Sequence, residues 1–197
     1  KISMSNPSKN SSPQKVNTWI TVVIWAILSL FLRWQVIEPR WIPSGSMLPT
    51  LQLQDKILVE KIRPRLNLAL NKHLNRDDLV VFKPPENLIK TGYDPDSALI
   101  KRVVGIPGDL IEIHDGKLFR NKLLIEEQWI TEPMSYSMDP IIVPINSLWV
   151  LGDNRNNSLD SHFWGPLPEK NVIGTAIFKY WPLNKAGPIR FPHPSKI

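Results

Sequence analysis

The sequence predicts a mainly β protein, an antiparallel sheet domain that follows one N-terminal apolar helix. Three observations predict it. The chain has 197 residues with 19 Pro and 9 Gly, so long uninterrupted helices cannot dominate. From Lys56 onward its apolar residues fall into short, β-branched runs punctuated by prolines and polar turns. One run of a different character, Trp19 to Leu32, is interrupted only by Thr21 and Ser29. A chain of this length supports one domain with a full core rather than two.

Residues 1–15 are mostly Ser, Asn, Pro and Lys without an acid, the composition of a solvated basic tail. Residues 16–37 follow as a membrane anchor: as a helix they extend roughly 33 Å, enough to cross a bilayer core. No pair of small residues after Leu32 supplies a cleavage site, which separates an uncleaved anchor from a signal peptide. Trp19 at one end and Trp34 and Trp41 at the other suit the two interfacial belts. By the positive-inside rule the tail is cytoplasmic, and residues 38–197 lie on the trans side, whether periplasmic, extracytoplasmic or lumenal.

Strands are predicted in that third segment at Ile57 to Val59, Leu79 to Phe82, Leu99 to Val104, Leu110 to Ile113, Leu123 to Ile125, Ile141 to Val143, Leu148 to Leu151 and Val172 to Trp181. Asp115-Gly116 reads as a type I′ turn joining Leu110–Ile113 to Lys117–Phe119. The one helix expected outside the anchor covers Arg65 to Asn75.

Composition excludes several chemistries. With no Cys there is no disulfide framework, thiolate nucleophile or Cys-ligated zinc. The net charge of +6 is concentrated near the N-terminus: without Lys1, Lys9, Lys15 and Arg33 the 24 basic residues fall to 20 against 18 acidic ones, which leaves no basic stripe for nucleic acid. No His-Glu-x-x-His, Walker loop or dinucleotide fingerprint is present.

Chemistry concentrates in three places. Ile42-Pro43-Ser44-Gly45-Ser46-Met47-Leu48-Pro49-Thr50 is a sharply turned segment in which a serine hydroxyl can project beside free backbone N–H groups, as a nucleophile and its oxyanion require; the same pattern also suits an ordinary loop. A serine needs a base, and His73, His114 and His193 lie in settings that read as solvated. In the strand Leu99 to Val104, alternation puts Lys101 on one face and Arg102 on the other, so one cation meets an apolar layer unless both snorkel at the sheet margin. The third place is a dense polar block, Gly152 to Gly165, closed by Phe163 and Trp164.

Ile42 to Thr50, Asp55 to Lys61, Lys101 to Asp109 and Gly152 to Gly165, in that order, resemble the type I signal peptidases, membrane-anchored Ser/Lys proteases. The Ser161-His162-Phe163-Trp164-Gly165 wording is similar to the cyanobacterial and plastid branch. The resemblance implies Ser46 as nucleophile, Lys101 as general base, an oxyanion hole from the Ser44 hydroxyl and the Ser46 N–H, and Ser158 orienting the lysine. It further implies Asp160 as support of the site and Arg102 paired with Asp153. His162 stands where many members carry Arg, so the contact expected with Asp160 depends on the charge of the imidazole. No cofactor or metal is implied. The implied partners are signal peptides of exported preproteins and the lipid bilayer of a plasma or thylakoid membrane, with the translocation machinery nearby. A membrane-tethered β domain that binds polypeptides without catalysis is the alternative.

Overall fold

The structure, a computed structural model, describes residues 18–70 and 72–189. The 1–15 tail, the first two residues of the expected anchor and His193 lie outside the described residues. Contacts divide the chain into two units, Lys1–Gln35 and Val36–Ile197.

A helix, α1, begins at Thr18 in the first unit and ends at Val36, the first residue of the second. Its apolar side chains are exposed around the helix, among them Ile20, Val23, Ile24, Ile27, Leu30 and Phe31. The side chains of residues 32–34 lie outside those described, and among the described residues no helix is long and apolar enough to cross a membrane.

The second unit is built from antiparallel strands. In chain order these are β1 (Ile37–Trp41), β2 (Lys56–Glu60), a short helix α2 (Ile62–Ala69), β3 (Leu79–Phe82), α3 (Glu86–Ile89), β4 (Leu99–Gly105), β5 (Leu110–His114), β6 (Lys117–Arg120), β7 (Leu123–Leu124), β8 (Met138–Ile142), β9 (Ser147–Leu151), α4 (Ser161–Trp164), β10 (Leu167–Pro168), β11 (Val172–Trp181) and β12 (Gly187–Pro188). The larger sheet runs β1-β2-β11-β3-β4-β9-β10, with β12 added to β11; the smaller runs β7-β6-β5-β8.

Seven of the eight expected strand runs fall on strands with little change at their ends, and the eighth is displaced. β8 starts at Met138 instead of Ile141, and Val143 lies past its end, buried, with its N–H donated to Asp109 O at 2.8 Å. Asp115 and Gly116 both have positive φ, 52° and 72°, as a type I′ turn between β5 and β6 requires. Strand β1 was hidden by Pro39 and by the length given to the anchor. It is an edge strand paired only with β2, so the missing proline N–H faces no neighbour. Helix α2 also differs from expectation, starting at Ile62 and ending at Ala69 rather than covering Arg65 to Asn75. Pro64 falls in its first turn, where an N–H would have no acceptor in the helix.

The alternation of β3 distributes its side chains to two apolar layers. Val80 and Phe82 pack with Leu99, Val103, Leu148, Val150 and Trp164 on one face. Leu79 and Val81 pack with Ile42, Met47, Leu51, Ile57, Val59 and Ile100 on the other. Because β4 is paired on both sides and covered on both faces, all seven of its residues are buried. Lys101 and Arg102 are therefore both desolvated, and neither snorkels at a margin.

Candidate active site

Ser46 sits in a single 3-10 turn, Gly45–Met47, directly after β1 and Pro43. Met47 and Leu51, both fully buried, hold this turn onto the core. Asn154 fixes it from the opposite side: its N–H donates to Ser46 O at 3.1 Å and its Nδ2 donates to Gly45 O at 3.2 Å. These two bonds leave the Ser46 side chain facing β4.

Lys101 reaches Ser46 from the middle of β4, and its Nζ donates to Ser46 Oγ at 2.6 Å. When the amine is neutral the same contact runs the other way, the hydroxyl donating to the nitrogen lone pair. Burial of the ammonium lowers the Lys101 pKa to about 8, against the opposing pull of the Asp160 and Asp153 carboxylates. Ser44 Oγ lies 3.3 Å from Ser46 Oγ. The cleft that holds these groups has a volume of about 360 Å³ and is also lined by Tyr93, Leu99, Asn157 and Leu159. A serine hydroxyl beside a lysine that loses its proton near pH 8 can attack a carbonyl carbon without a metal ligand at the site.

The polar block supports this pair through two buried carboxylates. Arg102 grips Asp153 with both arms, Nε to Oδ1 at 2.7 Å and a terminal nitrogen to Oδ2 at 2.5 Å, with neither side chain exposed. The guanidinium also donates to Asp77 O at 3.1 Å and stacks over the Trp129 ring at 4.1 Å. Asp160 is fully buried, accepts the Gly152 N–H at 2.9 Å, and caps α4. His162 does meet it, with Nδ1 2.7 Å from Asp160 Oδ1, and the imidazole is stacked on Tyr136. Ser158 Oγ is buried near Gly152 with no hydrogen-bond partner among the described residues, so the bond to the lysine implied by resemblance is not formed in this arrangement. His73 and His114 lie elsewhere, against Glu169 and Phe119.

Sequence reasoning missed the clamp of Asn154 on the Ser46 turn, the Tyr93 and Leu159 walls, and the buried Arg155–Glu127 pair that ties the loop after β7 to the polar block at 2.5 Å. Asn154, Arg155 and Leu159 lay in the segment already marked for its polar density, whereas Tyr93 and Glu127 did not. Gly152 is the tightest point of the site: a Cβ there would stand 2.2 Å from Ser158 Oγ and 2.5 Å from Ser46 O. Gly152→Ala is expected to displace the Ser46 turn and lower kcat/KM about 100-fold. Kinetics of the folded, detergent-solubilised variant check this.

Comparison with known proteins gives the same family throughout. The family described as signal peptidase, peptidase S26, matches residues 15–181. A probable signal peptidase I-1 from Synechocystis sp. is 42% identical over 166 residues, 84% of this chain and 82% of its own. A signal peptidase I from Leptolyngbya laminosa is 43% identical over 172 residues, 87% of this chain and 82% of its own. Thylakoidal processing peptidase 1 from Arabidopsis thaliana chloroplasts is 43% identical over 166 residues, 80% of this chain and 46% of its own. With a family match across most of its length and two bacterial relatives this similar over more than four-fifths of their chains, the protein belongs to the S26 signal peptidases, a family of serine endopeptidases.

Proposed function

We propose that this chain removes N-terminal signal peptides from exported preproteins, with Ser46 as nucleophile and Lys101 as general base. One observation carries the reading: the nitrogen of a buried lysine stands 2.6 Å from a serine hydroxyl in an open cleft. Neutral Lys101 takes the Ser46 proton as Oγ attacks the scissile carbonyl, and the lysine then gives that proton to the departing amine. The Ser46 N–H and the Ser44 hydroxyl stabilise the oxyanion. Water, deprotonated by Lys101, releases the acyl group. Ser158, whose buried hydroxyl has no hydrogen-bond partner among the described residues, is available to orient the amine, the role the family resemblance implies.

The substrate binds extended between the segment 42–44 and the start of β4. A second cleft of about 220 Å³ opens there, walled by Ile42, Ile57, Val81, Ala98 and Ile100. Its apolar walls suit the small side chains, one and three residues before the cut, that the family resemblance implies.

Residues 16–37 anchor the enzyme in the membrane, with the basic tail cytoplasmic and the catalytic domain on the trans side of a plasma or thylakoid membrane. Support comes from the apolar surface around α1, which no folded partner covers among the described residues. At the end of this segment Val36 O accepts the Lys61 N–H and Ile37 pairs with Glu60, contacts that favour a membrane boundary one or two residues before Ile37. A chain beginning at Val36 is therefore expected to cleave a soluble peptide while no longer floating with phosphatidylcholine vesicles. Loss of cleavage in that folded truncation contradicts the division. Cleavage of a synthetic preprotein by the full chain in detergent, against Ser46→Ala as control, tests the function itself.

A further inference from the structure

We propose that the exposed side of α2 docks on an anionic lipid surface, holding the catalytic domain against the bilayer in addition to the anchor. The inference rests on the anchor reading above. A surface helix ordinarily turns its apolar stripe to the core, and α2 does the reverse. Pro64 is its buried residue, and polar bonds tie it to its surroundings: the Arg63 N–H donates to Glu60 Oε1 at 2.6 Å, the Arg63 guanidinium reaches Asp78 at 3.5 Å, and Asn67 Nδ2 donates to His73 O at 3.0 Å. Ile62, Leu66 and Leu70, spaced four residues apart on one stripe, are 47%, 52% and 54% exposed.

Charge selects the occupant. From Lys61 to Arg76 the chain contains no acid. Lys61 and Arg76 are held by Glu38 and Asp109, whereas Arg65 and Lys72 are exposed. An apolar stripe flanked by cations suits the headgroup boundary of an anionic bilayer, while a second copy of the same face would bring like charges together. Position agrees with charge. The Lys61 N–H donates to the carbonyl of Val36 at 2.9 Å, so α2 begins beside the residue at which the chain enters the sheet domain.

The absence of cysteine allows a direct test on the full chain. Leu66→Cys carries an environment-sensitive fluorophore, and Asp115→Cys, at the exposed turn between β5 and β6, serves as the reference. Each is reconstituted into phosphatidylcholine vesicles with or without phosphatidylglycerol, and quenching by lipid-borne spin labels is measured. The expected result is about threefold stronger quenching at position 66 than at 115 in the anionic vesicles, reduced at high salt and in phosphatidylcholine alone. Quenching no greater than at 115, or equal in both lipids, overturns the proposal. Protection at 66 that instead grows with protein-to-lipid ratio assigns the face to a second copy and also overturns it. Failure of the chain to float with vesicles at all overturns the anchor reading, which separates that failure from loss of docking alone.

Discussion

Lys101→Ala is expected to lower kcat/KM by about 10³–10⁴-fold while leaving the fold intact. The fold survives because neither nearby carboxylate depends on the lysine for a partner. Asp153 is held by Arg102, and Asp160 by the Gly152 N–H and His162. Removing a buried cation then strands no charge. Activity does not survive, since no other described side chain donates to or accepts from Ser46 Oγ except Ser44. Lys101→Arg is the sharper control: guanidinium keeps the positive charge but gives up no proton. Wild-type rates in a folded Lys101→Arg enzyme, measured in single turnovers, would exclude the lysine as base.

The pH dependence follows from the same burial. The wild-type rate rises with pH as Lys101 loses its proton near 8. Stability moves in the same direction. The lysine is protonated up to about 10.5 in the unfolded chain but only to about 8 when folded, so unfolding takes up a proton between those values and stability increases with pH across that window. Urea titrations of the solubilised wild type and Lys101→Met, compared from pH 7.5 to about 10.5, should show that slope only in the wild type.

The largest expected effect on stability belongs to Asp153. Asp153→Ala leaves the Arg102 guanidinium without its carboxylate in a position of no exposure, and breaking a buried pair in this way costs about 3–5 kcal/mol. That is a large share of the 5–15 kcal/mol usual for a domain. Arg102→Lys in an otherwise wild-type chain should also lower stability, since a point charge replaces neither the two-armed grip nor the stacking on Trp129. Denaturant midpoints measure both variants. A midpoint for Asp153→Ala within error of wild type would show that the pair contributes little.

The strands were legible because their signal is local. β3, β9 and β11 are dense apolar runs with prolines or polar turns at their ends, and the Asp115-Gly116 turn needs only two residues to be recognised. Alternation also placed Lys101 and Arg102 on opposite faces of β4. It did not reveal that both faces are covered, which depends on Leu148 and Trp164 reaching one face and Met47 and Leu51 the other from distant sequence. β1 was illegible for a different reason: a proline is excluded from central strands, and only the sheet order shows Pro39 to be at an edge. The Asn154 clamp, Tyr93 and the Glu127–Arg155 pair are tertiary placements with no sequence periodicity behind them. Motif order located the candidate site, while the physical cause of the lysine's low pKa became visible only in the packing.

Acylation of Ser46 followed by intact-mass spectrometry tests nucleophile and base together. The solubilised full chain is mixed with an electrophilic acylating agent built on a short extended peptide, and the adduct is mapped after digestion at a series of pH values. One adduct per chain, on Ser46, is expected, forming at a rate that rises through an ionisation near pH 8 and is lost in Lys101→Ala. No adduct, an adduct on another residue, or a rate indifferent to Lys101 would contradict the Ser46–Lys101 mechanism and leave a domain that holds polypeptides without cutting them.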